Sequence, residues 1–200
     1  MSDDGKRRWA GPKEKRKSSG RRSGERKVIA YRAKSESSKK WIERQLSDPY
    51  VQKAKSEGYR ARAAYKLLEI DKQAKLIRPG IRVVDLGCAP GGWLQVCVRH
   101  GVKEVVGIDL LEVEPVPGAH IVQGDANNPD DIAEMMEGLS GAPDLVLSDM
   151  AANTTGHKQT DSLRTAALAD MALDFAETHL VEGGAFCCKV FQGGATPEMM

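Results

Sequence analysis

The chain has 200 residues, 40% of them hydrophobic, and a formal net charge of +2, enough for one buried core and a tail. No apolar stretch is long enough to cross a bilayer and the charged N-terminus lacks the apolar centre of a signal peptide, so a cytoplasmic protein is expected. Charge is unevenly divided: residues 1–66 hold 21 Lys/Arg against 8 Asp/Glu and the remainder 9 against 20, an asymmetry that points to a polyanionic partner, nucleic acid first.

Residues 1–38 are rich in Lys, Arg, Ser and Gly and show no apolar periodicity, so they read as a basic extension disordered in isolation. They hold too few large apolar groups at helical spacing for a membrane anchor. An ordered domain is expected over 39–200, beginning near Lys39, Lys40 and Trp41. Tyr59–Ile77 reads as an amphipathic helix, with Ala61, Ala64, Tyr65 and Leu68 three or four apart, and Pro79–Gly80 closes it. Around its start, Lys39, Lys40, Arg60 and Arg62 are expected to hold nucleic-acid phosphates. Trp41 and Tyr59 either stack on bases or pack in the core.

Beyond this helix, short apolar runs alternate with helical stretches. Strands are expected at Arg82–Leu86, Glu104–Ile108, His120–Gln123, Asp144–Ser148 and Ala185–Phe191, and helices at Trp93–Arg99, Pro129–Gly138 and Ser162–His179. That alternation predicts an α/β fold, a parallel sheet with helices on both faces. The sequence stops at Met200, just after a strand and its Gly–Gly turn, where such sheets usually continue. The sheet therefore reads as a truncated one whose C-terminal strands are missing. Cys88, Cys97, Cys187 and Cys188 show neither paired spacing nor a His companion, so no metal site is expected and they read as small buried thiols.

Ligands of open α/β sheets bind beyond the carboxyl ends of the strands. Three such ends carry suitable chemistry. VVDLGCAPGGW (83–93) offers Gly87, Gly91 and Gly92 for a tight turn and close backbone approach, followed at once by a helix. It lacks the G-x-G-x-x-G spacing of a dinucleotide fingerprint, which argues against a dehydrogenase. Asp109 ends the next strand, where a carboxylate can accept from two ribose hydroxyls, and Asp125 in IVQGDA can accept from an adenine amine. Together these favour S-adenosylmethionine (SAM) as cofactor.

Lys189 stands alone in the apolar strand AFCCKVF, where an unpartnered ammonium would be costly. Asp149, ending LVLSD at the same cleft, is its natural partner. A lysine beside a second cation, or buried, can have its pKa lowered towards neutrality and so handle a proton.

DLGCAPGGW, GIDLLEVEP, QGD, SDMAAN and CCKVFQGG together resemble the FtsJ-like family of 2′-O-ribose methyltransferases, over about 38–200. The resemblance implies a Rossmann-like SAM-dependent fold and methylation of a uridine ribose in large-subunit (23S) ribosomal RNA, within the assembled large subunit. Gly91, Trp93, Asp109, Asp125 and Asp149 would contact SAM. The family's Lys–Asp–Lys–Glu set falls on Lys66, Asp149 and Lys189, with the glutamate expected past Met200, because Glu198 lies too close to the QGG turn. Lys66 enters through the resemblance alone. Ala152 stands where the family often has proline. A methyltransferase acting on tRNA or another RNA shares every one of these residues, and a non-catalytic RNA-binding assembly factor is the rival outside enzymology.

Overall fold

The computed structural model describes residues 48–151 and 156–190, apart from the side chains of residues 158 and 159. The basic extension, Lys39, Lys40, Trp41, Ala152 and Phe191 to Met200 lie outside the described residues.

Two helices precede the sheet: α1 (Pro49–Glu57) and α2 (Ala63–Ala74). Next come β1 (Arg82–Leu86), α3 (Gly92–Arg99), β2 (Glu104–Asp109) and β3 (His120–Gln123). The chain continues through α4 (Pro129–Met136), β4 (Leu145–Ser148), α5 (Lys158–His179) and β5 (Ala185–Cys188). All strand pairs are parallel, in the order β3-β2-β1-β4-β5. This is the doubly wound α/β sheet that the alternating pattern predicts. Its direction of winding reverses between β1 and β4, and the loops beyond their carboxyl ends face a shared crevice.

Alternate strand residues feed two cores. On one face Val83, Val105, Leu145 and Leu147 pack with Ala64 and Leu67 of α2 and Trp93, Leu94 and Cys97 of α3. On the other, Val84, Leu86, Val106, Ile108 and Val146 pack with Met135 of α4 and Ala172, Phe175 and Ala176 of α5. Each fully buried Leu, Ile or Val side chain contributes on the order of 1.5–3 kcal/mol, so the sheet is a rigid platform for its loops. Among the described residues no helix is long and apolar enough to cross a membrane.

Four elements depart from the sequence pattern; among them helix α5 starts at Lys158, four residues before the expected Ser162. Helix α1 has no counterpart in the apolar periodicity: only its Ala54 is buried, so it has almost no apolar stripe. Its start signal is present, since Asp48 accepts from Tyr50 N at 2.8 Å and Pro49 opens the first turn. Helix α2 is shorter than the expected Tyr59–Ile77 and stops at Ala74, where Lys75 adopts φ +53°. The buried Asp71 then accepts from Ile77 N at 2.7 Å and turns the chain toward β1. Strand β5 ends at Cys188 rather than Phe191, although Lys189 N still donates to Ser148 O at 2.9 Å.

Candidate active site

Register alone brings Asp149 and Lys189 together. Ser148 of β4 lies opposite Leu86 of β1 and Cys188 of β5, so the next residues of β4 and β5 emerge side by side. Lys189 Nζ sits 2.6 Å from Asp149 Oδ1 and donates to the Asp149 main-chain oxygen at 2.9 Å. The directed hydrogen bond thus goes to the backbone, and charge attraction holds the carboxylate against the same ammonium. Lys66 approaches from α2, its Nζ 3.7 Å from the same Oδ1. Lys66, Ile70, Trp93, Cys188, Lys189 and Val190 line a cavity of about 410 Å³ beside this trio.

The glycine loop follows β1. Gly87 N and Cys88 N donate to Ile108 O, and Ala89 N donates to Asp109 Oδ2 at 2.9 Å. Asp109 Oδ1 accepts from Leu111 N at 2.9 Å, so one carboxylate pins the loop and the end of β2 while keeping lone pairs to spare. Gly91 caps α3 at φ +98°, and a methyl group there would come within 3.0 Å of Arg60 Nη1 and Val116 Cγ2. The backbone is bare at this point because no side chain fits.

Asp125 is exposed two residues beyond β3, with Oδ1 accepting from Asn127 N and Nδ2, both at 2.9 Å. The Asn127 amide, with its side chain, holds the Asp125 carboxyl below the usual range. Trp93 lies deeper than a contact residue on the loop's surface. It is 4% exposed, its Nε1 donates to Ala63 O at 2.8 Å, and it meets the cavity on the lysine side.

Sequence reasoning passed over Asp85, in the middle of β1. It is 1% exposed, and neither carboxylate oxygen has a hydrogen-bond partner. Burial pushes its carboxyl well above the usual range, and the charges of Asp149 and Asp109 add to the effect. The signal was an acid inside an apolar strand, the same anomaly that singled out Lys189. Leu110 and Leu111, 69% and 66% exposed beside Asp109, were also passed over.

Among the residues expected at phosphates, Arg60 donates to backbone carbonyls of Pro90, Glu114 and Pro115. Arg62 is ion-paired with Asp48. Tyr59 packs against Tyr65, with Arg99 over its ring 4.1 Å from the centroid, which is the core alternative. Cys88 and Cys97 are buried free thiols, while Cys187 and Cys188 are half-buried.

A sequence model of the FtsJ-like methyltransferases matches residues 59–200, which includes every site residue described above. The chain belongs to the FtsJ-like methyltransferase family. A ribosomal RNA large subunit methyltransferase E from Hyphomonas neptunium is 70% identical over 200 residues, covering the whole of this chain and 86% of that protein. The protein of the same name from Acidiphilium cryptum is 52% identical, over 90% of this chain and 80% of its own length. Among solved structures, a ribosomal RNA methyltransferase from Plasmodium falciparum superposes with a TM-score of 0.65 at 30% identity, covering 70% of this chain and 83% of that one. The fold expected of an FtsJ-like methyltransferase is therefore the fold observed, a Rossmann-like sheet with helices on both faces.

Proposed function

We propose that this FtsJ-like methyltransferase transfers a methyl group from SAM to the ribose 2′-hydroxyl of a uridine in large-subunit ribosomal RNA, acting in the cytoplasm on the assembled subunit. The observation that carries the proposal is the convergence of Lys189 and Lys66 on one carboxylate, Asp149, at the carboxyl end of the sheet. The names of the similar proteins supply the substrate class.

The crevice fits SAM on its own terms. The positive-φ Gly91 opens the backbone to a ligand, Asp109 keeps acceptor capacity for ribose hydroxyls, and the orphaned oxygens of Asp85 call for donors. Exposed Leu110 supplies apolar surface at the end of β2. Bound here, SAM would supply a sulfonium methyl that is already activated. Gly91, Trp93, Asp109, Asp125 and Asp149 are the residues proposed to hold it.

The protein's own task is to prepare the hydroxyl. In its neutral form Lys189 Nζ takes or relays the hydroxyl proton, and Asp149 fixes that nitrogen in space and pairs with the ammonium that forms. Lys66 brings a second positive charge to the same point, which favours the hydroxyl oxygen as it loses its proton. The adjacent cavity gives the acceptor nucleoside room outside a helix, where the 2′-hydroxyl can be aligned with the methyl.

The test is transfer of labelled methyl from SAM to large ribosomal subunits purified from cells lacking this enzyme. Label on a uridine 2′-hydroxyl is the expected result. Label appearing only on tRNA or another RNA would replace the substrate, and SAM binding without label on any RNA would favour the non-catalytic assembly factor.

A further inference from the structure

Arg60 is the most heavily committed cation in the described structure. It lies in the link between α1 and α2, three residues before Ala63 opens the helix that carries Lys66. Its Nη1 donates to Pro90 O at 3.2 Å and also to Glu114 O, and its Nη2 donates to Pro115 O at 2.7 Å. Pro90 belongs to the glycine loop, whereas Glu114 and Pro115 belong to the segment between β2 and β3. A single guanidinium thus ties together two segments that border the crevice. Its packing also matters, because Nη1 lies 3.0 Å from where a methyl group on Gly91 would stand.

The link itself is held just as deliberately. Arg60 N donates to Gln95 Oε1 at 2.9 Å, and Gln95 Nε2 returns a bond to Gly58 O at 3.1 Å. Arg99 donates to Glu57 O and Gly58 O, and Trp93 Nε1 donates to Ala63 O. Three side chains of α3, the helix that starts from the glycine loop, therefore stitch it to residues 57–63. The Lys66 helix and the glycine loop are one mechanical unit, and Arg60 extends that unit across to Glu114 and Pro115.

All three acceptors of the Arg60 guanidinium are neutral carbonyls, and among the described residues it forms no ion pair. Its fork geometry, rather than its charge, is what the site uses. Lysine ends about one bond short of the guanidinium nitrogens and has no second one, so it cannot keep the Pro90, Glu114 and Pro115 bonds together.

We propose that Arg60 is a positioning residue for the methyl-transfer site: it clamps the glycine loop against residues 114–115 and sets the spacing between the cofactor crevice and the Lys66 helix. The inference rests on the SAM reading given above. It assigns Arg60 to the cofactor side of the reaction rather than to RNA phosphates.

Arg60→Lys separates the two roles, since it keeps the charge and loses the fork. SAM affinity measured by calorimetry should fall about tenfold in this variant, while the salt dependence of RNA binding stays at the wild-type slope. Hydrogen exchange without ligand should accelerate at residues 88–92 and 114–116, with β1, β2 and β4 unchanged. A merely structural role would loosen the strands as well. In the wild type, SAM should slow exchange at 58–62, 88–92 and 114–116 together, a readout that needs no variant to fold. Wild-type SAM affinity in Arg60→Lys, or protection confined to 88–92, overturns the clamp alone. Absence of SAM binding by the wild type overturns the cofactor reading and the clamp with it.

Discussion

Lys189 and Asp149 stand one residue past the paired ends of β5 and β4, and the Lys189 ammonium touches both the carboxylate and the main-chain oxygen of Asp149. Two attachments to the same residue leave the nitrogen little freedom. If this nitrogen handles the hydroxyl proton, Lys189→Ala should lower single-turnover methyl transfer by about 10²–10⁴-fold with SAM affinity unchanged. Asp149→Asn should lower transfer as well, because Lys189 loses the carboxylate that attracts its ammonium. The double variant should lose little more than the worse single one, as residues acting as a unit do. Wild-type turnover in a folded Lys189→Ala protein would remove the lysine from the chemistry.

Asp85 gives the stability curve a sign. Its carboxyl titrates well above the ordinary 3.8 in the folded chain, so the folded state holds a proton that the unfolded state releases. The stability this residue contributes is complete below 3.8 and is lost as pH rises from there through the raised folded value. The slope can reach about 1.4 kcal/mol per pH unit. Asp85→Asn cannot ionise and should flatten that decline, raising the unfolding temperature at pH 7.5 much more than at pH 4. An equal shift at both pH values would show that packing, not ionisation, separates the two proteins.

These two residues show what the sequence can disclose. A lysine or an aspartate within an apolar strand is visible as a break in pattern, yet only Lys189 was singled out by it and Asp85 was not. The strands are legible because residues buried on both faces read as unbroken apolar runs. Helix α1 is not, because its burial is limited to Ala54 and its evident mark is the Asp48–Pro49 start. Arg60 defeats local reasoning altogether. Its acceptors lie 30 to 55 residues away and are main-chain oxygens, which leave no trace in side-chain composition. Lys66 likewise reads as a helix-surface charge until the fold carries it to Asp149.

Asp109 serves two ends at once, so its loss should show twice. Asp109→Ala releases Ala89 N and Leu111 N and removes the acceptor proposed for the ribose. Charged hydrogen bonds of this kind are worth about 1.5–3 kcal/mol each, and SAM affinity should fall by about 10–100-fold. Asp109→Asn, which keeps an acceptor oxygen, should recover part of the loop's order but not the affinity. Exchange at residues 87–91 and calorimetric titration read the two effects separately. Full affinity in Asp109→Ala would place the ribose elsewhere.

The basic extension tests the nucleic-acid side independently of the crevice. Residues 1–38 hold 13 Lys/Arg against 5 Asp/Glu, and within the described domain Arg60 and Arg62 already have protein partners. The phosphate contacts are therefore expected to come mainly from the extension. Each contact releases counterions and adds about 0.7–0.9 to the slope of log affinity against log salt. Deleting 1–38 should weaken binding to ribosomal RNA at low salt and flatten that slope by several such increments, with SAM affinity unaltered. At high ionic strength the two forms should converge, because salt then screens the attraction between the extension and the phosphates. An unchanged slope after deletion would place the phosphate contacts on the domain itself, and Arg62, released from Asp48 by the substitution Asp48→Asn, would then be the first cation to remove.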